Sequence, residues 1–169
     1  MSANSWHDFR DRASQKPARI VLADGMDERV VAAAADAKRQ NIADPVLIGS
    51  RQIISPLWKR HFKSDDAPVI DPGTLNAQEQ DRYTTELRSI HKFKTLTLEE
   101  ARARIQDPLV FGCLYTKGKQ ADGFIGGATR TTGDTLKAVF SIIGLAPHTS
   151  TLFGFFLIEP RHPSKGQSF

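Results

Sequence analysis

Short runs of apolar residues alternate along this chain with longer stretches in which apolar residues recur every three or four positions. The first pattern predicts strands and the second predicts helices. Ser5–Gln15 has apolar and aromatic residues at helical spacing and ends before Pro17. Arg19-Ile20-Val21-Leu22-Ala23 is too short for a helix and reads as a buried strand. Asp24-Gly25-Met26-Asp27 ends that strand. Asp27 is placed to cap a helix over Glu28–Gln40, because its carboxylate can accept the free N–H groups of the first turn. Val30, Val31, Ala33, Ala34 and Ala37 supply the helical period.

The cycle then repeats. Pro45–Ile48 reads as a second strand, and Gln52–His61 as a helix that Pro56 threatens to break early. Pro68–Ile70 is a third strand, closed by Asp71-Pro72-Gly73. Asn76–Lys92 reads as a polar helix. Thr97-Leu98-Glu99-Glu100 has the spacing of a capping box and opens another helix. Asp107-Pro108 starts a further helix through Lys117, since proline at the first helical position needs no N–H partner. Gly118–Gln120 reads as a turn. Ala121–Ala128 reads as a strand running into a glycine-rich loop, followed by a helix over Thr132–Gly144. Leu136, Val139, Phe140 and Ile143 are expected on its buried side. Thr151–Ile158 is nearly all apolar and reads as a strand buried on both faces, as in parallel sheets. The predicted class is α/β: a layered, mostly parallel sheet with helices on both faces and right-handed crossovers. Only the polar Glu159–Phe169 follows the last apolar run, so the architecture is expected to stop partway.

A length of 169 residues predicts one domain, and 40% apolar with 25% charged residues is ordinary for a globular chain. The single cysteine excludes an intramolecular disulfide framework and a cysteine-rich zinc module. No apolar run approaches the ~20 residues of a membrane span, and no basic start followed by an apolar stretch marks a secretory signal. A cytoplasmic location is the resulting expectation, with no membrane partner. The net charge of +4 comes from charges mixed along the chain. A nucleic-acid partner would call for basic residues gathered on one face, and none is expected.

The candidate chemistry lies in Gly126–Lys137, between a predicted strand and a predicted helix. Ligands of open α/β sheets bind outside the carboxyl ends of the strands, where a helix N-terminus offers free N–H groups to an anion. The hydroxyls of Thr129, Thr131 and Thr132 are candidate donors to phosphate oxygens. Arg130 offers a fork of N–H donors and Lys137 a point charge. Asp134 is a candidate cap. A Gly/Thr-rich turn without a ligand fits the same composition. Neither usual nucleotide fingerprint is present: G-x-x-x-x-G-K-[ST] is lacking, and no G-x-G-x-x-G follows the first strand. Arg88 lies on a predicted helix, from which it reaches either a cleft or solvent. Cys113 has apolar neighbours and reads as inert core. His7, His61, His91, His148 and His162 give no i, i+4 pair, so no metal site is expected.

Several stretches resemble the phosphate acetyl/butyryl transferase family when taken in order. They are Arg19–Arg29, Ile42–Gly49, Ile70-Asp71-Pro72, Tyr83 with Glu86-Leu87-Arg88, Leu96–Ala101, Ala121-Asp122-Gly123 and Gly126–Lys137. The last loop separates this chain from malic-enzyme tails. The resemblance implies a fold similar to isocitrate and isopropylmalate dehydrogenases. It implies acyl transfer between coenzyme A and phosphate, with acetyl-CoA and acetyl phosphate as reactants and no permanently bound cofactor. It covers residues 1–169 as the first of two family domains, with the active site between them. The aspartate that takes the thiol proton, and a charge-stabilising arginine and serine, belong to the second domain, so no catalytic residue is assigned here. Phosphate and coenzyme A binding falls by resemblance on Arg88, Thr129, Arg130, Thr131, Thr132, Thr135 and Lys137. Lys137 stands where many members have arginine. The implied partner is a second half, either encoded separately or supplied by a homodimer. The alternative is a non-catalytic binding module.

Overall fold

The computed structural model describes residues 5–152 and 154. Four parallel strands form its sheet: β1 (Ala18–Leu22), β2 (Ala43–Ile48), β3 (Val69–Ile70) and β4 (Gly123–Ile125), in the order β3-β2-β1-β4. The helices are α1 (Ser5–Gln15), α2 (Glu28–Arg39), α3 (Arg51–Phe62), α4 (Ala77–Ser89), α5 (Leu98–Ile105), α6 (Pro108–Lys117) and α7 (Thr132–Ile142).

Strand side chains alternate between two cores, as the period of two requires. Val21, Val46 and Ile48 face a cluster with Tyr83 and Leu87 of α4, Ile105 of α5, Phe111 of α6 and Ile142 of α7. Leu47 and Val69, with the half-buried Leu22, face Val31 and Ala35 of α2 and Ile54 and Trp58 of α3. Helices therefore cover both faces of the sheet. The order explains the division. The chain moves from β1 outward to β3 with α2 and α3 on one face. It then returns past β1 to β4 with α4, α5 and α6 on the other. Crossovers of one hand must change face when the direction of travel reverses. The reversal lies between β1 and β4, where neighbouring strands send their chains apart and open a crevice beyond their carboxyl ends.

Local signals set most helix starts. Asp27 accepts the N–H of Arg29 (2.9 Å), and Asp107 accepts that of Leu109 (3.0 Å) with Pro108 at the first helical position. Both Asn76 with Glu79 and Thr97 with Glu100 make reciprocal capping boxes. Gly112 lets α6 lie close on the sheet: a Cβ there would sit 3.0 Å from both Phe124 and Val21.

Six expectations need correction. Pro56 does not break α3, which runs through it to Phe62 with Ile54 and Trp58 buried on either side. Tertiary burial outweighs the one hydrogen bond that proline forfeits. The polar helix ends at Ser89, with Ile90 extended and a 3-10 turn over His91–Phe93 replacing its last turn. β4 is confined to Gly123–Ile125, because only that span pairs with β1. On α7, Ile142 is the fully buried residue, with Ala138, Val139 and Ile143 packed beside it. Leu136 and Phe140 are exposed. The cap of α7 is Thr131, with Asp134 as its reciprocal partner at the third helical position. Of the predicted strand Thr151–Ile158, Thr151, Leu152 and Gly154 lie outside any strand, and the rest is outside the described residues.

Candidate ligand-binding site

Asp24 lies two residues past the end of β1 and stands at the crevice between β1 and β4. Its carboxylate reaches across to the loop that leaves β4. Oδ2 accepts the N–H groups of Gly127 (2.8 Å) and Ala128 (3.0 Å). Oδ1 accepts the N–H of Thr129 (3.3 Å) and the Thr129 hydroxyl. Gly127 has φ +103°, a value that suits glycine and turns successive N–H groups toward one point. The N–H groups of the glycine turn thus already hold an anion from within the chain. Burial pushes the Asp24 carboxyl up, but the Thr129 hydroxyl and the N–H groups of Ala128, Gly127 and Thr129 outweigh it and hold it below its ordinary value. Gly25 allows this placement, because a Cβ there would fall 2.7 Å from the Ile48 carbonyl oxygen.

Two further charge pairs brace the same crevice. Asp27 is gripped by Arg29, which pulls its carboxyl down to about 2. The Arg29 guanidinium also donates to the Ala128 carbonyl at 3.4 Å. Arg130 donates to the Asp107 carboxylate at 3.1 Å, tying the loop to the start of α6.

A pocket of about 290 Å³ opens here, lined by Asp24, Asp27, Pro108, Leu109, Thr129 and Arg130 among others. A second, of about 210 Å³, lies on the far side of Arg130 and runs under α7 past Lys137. Leu109 and Arg130 line both, so the two pockets adjoin there.

The nominated residues divide sharply in what they have left to offer. The Thr129 hydroxyl is spent on Asp24, that of Thr131 on Asp134, and that of Thr135 on the Thr131 carbonyl (3.1 Å). The Thr132 hydroxyl and the Lys137 ammonium have no partner among the described residues, and Arg130 has only Asp107. The Thr132 and Gly133 N–H groups at the start of α7 are likewise unpartnered there. Arg88 is not brought to either pocket. It sits half-buried in the last turn of α4, and its Nε is buried without a hydrogen-bond partner. Cys113 is fully buried in α6, and burial, with the Asp107 charge behind it, pushes its thiol up to about 12. It remains a thiol at neutral pH.

The sequence nominated none of Asp24, Asp107, Lys92 and Arg104, which line the two pockets, nor Arg29, which braces the crevice. Asp24 had a usable signal, as a carboxylate immediately after the first strand of an open sheet. Lys92 and Arg104 had none, because their neighbourhood is set by the packing of four separate elements.

Residues 7–168 match the family model described as Phosphate acetyl/butaryl transferase. The chain is 34% identical over 149 residues to the phosphate acetyltransferase of Thermoanaerobacterium thermosaccharolyticum, a match covering 88% of this chain and 44% of that protein. A second phosphate acetyltransferase, from Acetivibrio thermocellus, is also 34% identical, with the same shares covered. The crystal structure of a phosphotransacetylase from Streptococcus pyogenes superposes with a TM-score of 0.80 at 30% identity, covering 89% of this chain and 46% of the other. The chain spans less than half the length of these relatives.

Proposed function

The chain belongs to the Phosphate acetyl/butaryl transferase family, and from that premise we propose that it supplies the ligand-binding half of a site that moves an acetyl group between coenzyme A and phosphate. The observation that carries this reading is the placement of Arg130. It lines two adjoining pockets at the crevice of an open parallel sheet, and Lys137, which has no partner among the described residues, lines the second. Arg130 would hold two phosphate oxygens with its fork, and Lys137 would add a point charge. The Thr132 hydroxyl and the free N–H groups of Thr132 and Gly133 would complete the donors. Thr129, Thr131 and Thr135 would shape the loop rather than touch the ligand. Arg88 would act from α4 on the coenzyme side of the cleft.

In the direction of thioester formation, the thiolate of coenzyme A attacks the carbonyl carbon of acetyl phosphate. A C–S bond forms, the C–O bond to phosphate breaks, and phosphate leaves with the electron pair. The cations of this chain would stabilise the departing phosphate, an electrostatic task that needs them fixed in advance. Asp24 is unsuited to deprotonate the thiol, because both of its oxygens are committed to the loop. The base, and the second domain that carries it, would come from the counterpart half, in the same polypeptide or in a separate one. Among the described residues no helix is long and apolar enough to cross a membrane, and the reading places the reaction in the cytoplasm, within acetate metabolism.

A second reading, a non-catalytic module that docks on a partner, is favoured by exposed apolar residues at the β4–α7 edge. Ile125 is 57% exposed, with Leu136, Phe140 and Leu152 also open. Acetyl-CoA formation from acetyl phosphate and coenzyme A separates the two, measured with the 169-residue chain and with an Arg130→Ala, Lys137→Ala double variant. The acyltransfer reading expects the chain to bind coenzyme A without turnover, and the double variant to bind it at least about tenfold more weakly, the loss of one or two charge-assisted bonds. Turnover by this chain alone, lost in the double variant, would place the base inside these residues. Absence of coenzyme A binding would favour the docking module.

A further inference from the structure

Arg130 stands between two threonines that are each tied down. Thr129 gives its N–H and its hydroxyl to Asp24. Thr131 caps α7, accepting the Asp134 N–H on its hydroxyl (3.1 Å) and the Thr135 N–H on its carbonyl (3.1 Å). The Arg130 backbone is therefore clamped on both sides. Its side chain is 44% exposed, and an arginine in that setting has many rotamers open to it. One contact narrows the choice: Nη2 donates to Asp107 Oδ1 at 3.1 Å.

The form of that contact matters. Asp107 Oδ1 also accepts the Leu109 N–H (3.0 Å), and Oδ2 has no hydrogen-bond partner among the described residues. Arg130 is thus held at a single point. A guanidinium carries further N–H donors on Nε and Nη1, so this grip aims the group without using it up. A two-point grip would have consumed one edge of the fork. The carboxylate is itself well anchored. The Asp107 N–H donates to the Arg104 carbonyl (3.2 Å) in the last turn of α5, and the Asp107 carbonyl accepts the Phe111 N–H (2.9 Å) in α6. Capping α6 does not by itself call for aspartate here, because serine and asparagine cap about as well. What serine lacks is reach, since its hydroxyl ends one bond short of the position of Oδ1.

We propose that Asp107 is a positioning residue for the acyl-transfer site. It acts through Arg130, fixing the guanidinium where the two pockets adjoin before a ligand arrives. The ordering of that side chain is then not charged to binding. The inference rests on the proposed function for its ligand, coenzyme A, and on geometry alone for the contact between Asp107 and Arg130.

Asp107→Asn and Asp107→Ser in the 169-residue chain test it. Both remove the same charge and both keep a cap for α6, but only asparagine keeps an oxygen within reach of Arg130. Their melting temperatures should agree. Should the serine variant melt lower, Asp107→Thr, a capping residue of the same short reach, takes its place. Calorimetric titration with coenzyme A at one salt concentration reads the binding, and the NMR resonance of the Arg130 Nε–Hε group reads the side chain directly. The serine variant is expected to bind about three- to tenfold more weakly than the asparagine variant, the cost of ordering one long side chain. That difference should vanish when both are made in an Arg130→Ala background, because the effect runs through Arg130. The Nε–Hε resonance should move in the serine variant and stay near its wild-type position in the asparagine variant. Equal binding by the two, with the resonance unmoved, overturns the proposal. So does a difference that persists without Arg130, which would place the effect in α6 itself. If wild type and both variants all ignore coenzyme A, the proposed function falls, and the resonance alone decides the positioning: a shift confined to the serine variant keeps it, and no shift overturns it.

Discussion

Replacing Asp24 with alanine is expected to lower the unfolding free energy by about 2–3 kcal/mol and to weaken coenzyme A binding at least about tenfold. The carboxylate gathers three backbone N–H groups and one hydroxyl from a single loop. Bonds to a charged acceptor are worth roughly 1.5–3 kcal/mol each, but the group is only half-buried and the bonds are not independent, so the sum is discounted. Without the carboxylate, Gly127, Ala128 and Thr129 lose their common acceptor and Arg130 loses its fixed position beside the crevice. Asp24→Asn serves as the second variant. It keeps the shape but turns an amide N–H toward a cluster that is all donors, so it should recover only part of the loss. Chemical denaturation reads the stability, and calorimetry reads the binding.

The same group gives a pH dependence with a definite sign. The folded carboxyl lies below its ordinary value, while in the unfolded chain it returns to about 4. Its stabilisation is therefore complete above the ordinary value and is lost as the pH falls through the lowered one. Wild type and Asp24→Asn should converge in stability as the solution is acidified. A gap that stayed constant down to the acid limb would mean the charge on Asp24 does not hold the loop.

Phe111→Ala is expected to cost about 3–5 kcal/mol, the usual range for truncating a fully enclosed aromatic ring. Phe111 has no exposed surface. It meets the Tyr83 ring edge-on at 4.7 Å and the Tyr115 ring at 6.2 Å, in the core shared by α4, α6 and the sheet. Tyr83 is itself fixed by its hydroxyl, which donates to Gln120 at 2.8 Å. For a chain of this length the cost corresponds to a fall of roughly 10–15 °C in melting temperature. The effect should reach the site, because α6 begins at Asp107, the anchor of Arg130. Phe111→Leu keeps most of the volume and should cost about 1–1.5 kcal/mol. Near-equal losses for the two variants would mean the ring interactions rather than the filled volume matter most.

The centre of the sheet was legible because β1 and β2 are short, and their apolar residues are buried on both sides. Val21 and Leu22, or Leu47 and Ile48, serve opposite cores, and that double burial writes itself into sequence as an unbroken apolar run. Helix starts were legible for a similar reason: Asp27, Thr97 and Asp107 act on residues two or three positions away. Reading failed wherever the partner was remote. Asp24 and Gly127 are 103 positions apart, and nothing local marks the carboxylate as the acceptor for that loop. The threonines of the loop were nominated as ligand donors from their chemistry alone, and the fold spends three of their hydroxyls internally. The α7 face was right for Val139 and Ile143 and wrong for Leu136 and Phe140, because the period fits these as well as Ala138 and Ile142 until the packing of α6 chooses. Arg130 and Lys137 could be nominated because charge beside a glycine-rich turn is a local pattern, whereas Lys92 and Arg104 reach the same pocket from separate elements.

The central claim is that this chain binds coenzyme A and phosphate at the crevice between β1 and β4. Backbone amide NMR of the labelled 169-residue chain, titrated with coenzyme A and then with phosphate, tests it most directly. The account predicts shifts concentrated at Thr129–Lys137, with Asp24 and the start of α6 following, and little change around Ser50, Arg51 and Gly73, which follow β2 and β3 on the other side of β1. Titrations that leave Thr129–Lys137 unmoved, or that move the Ser50–Gly73 surface instead, would contradict it.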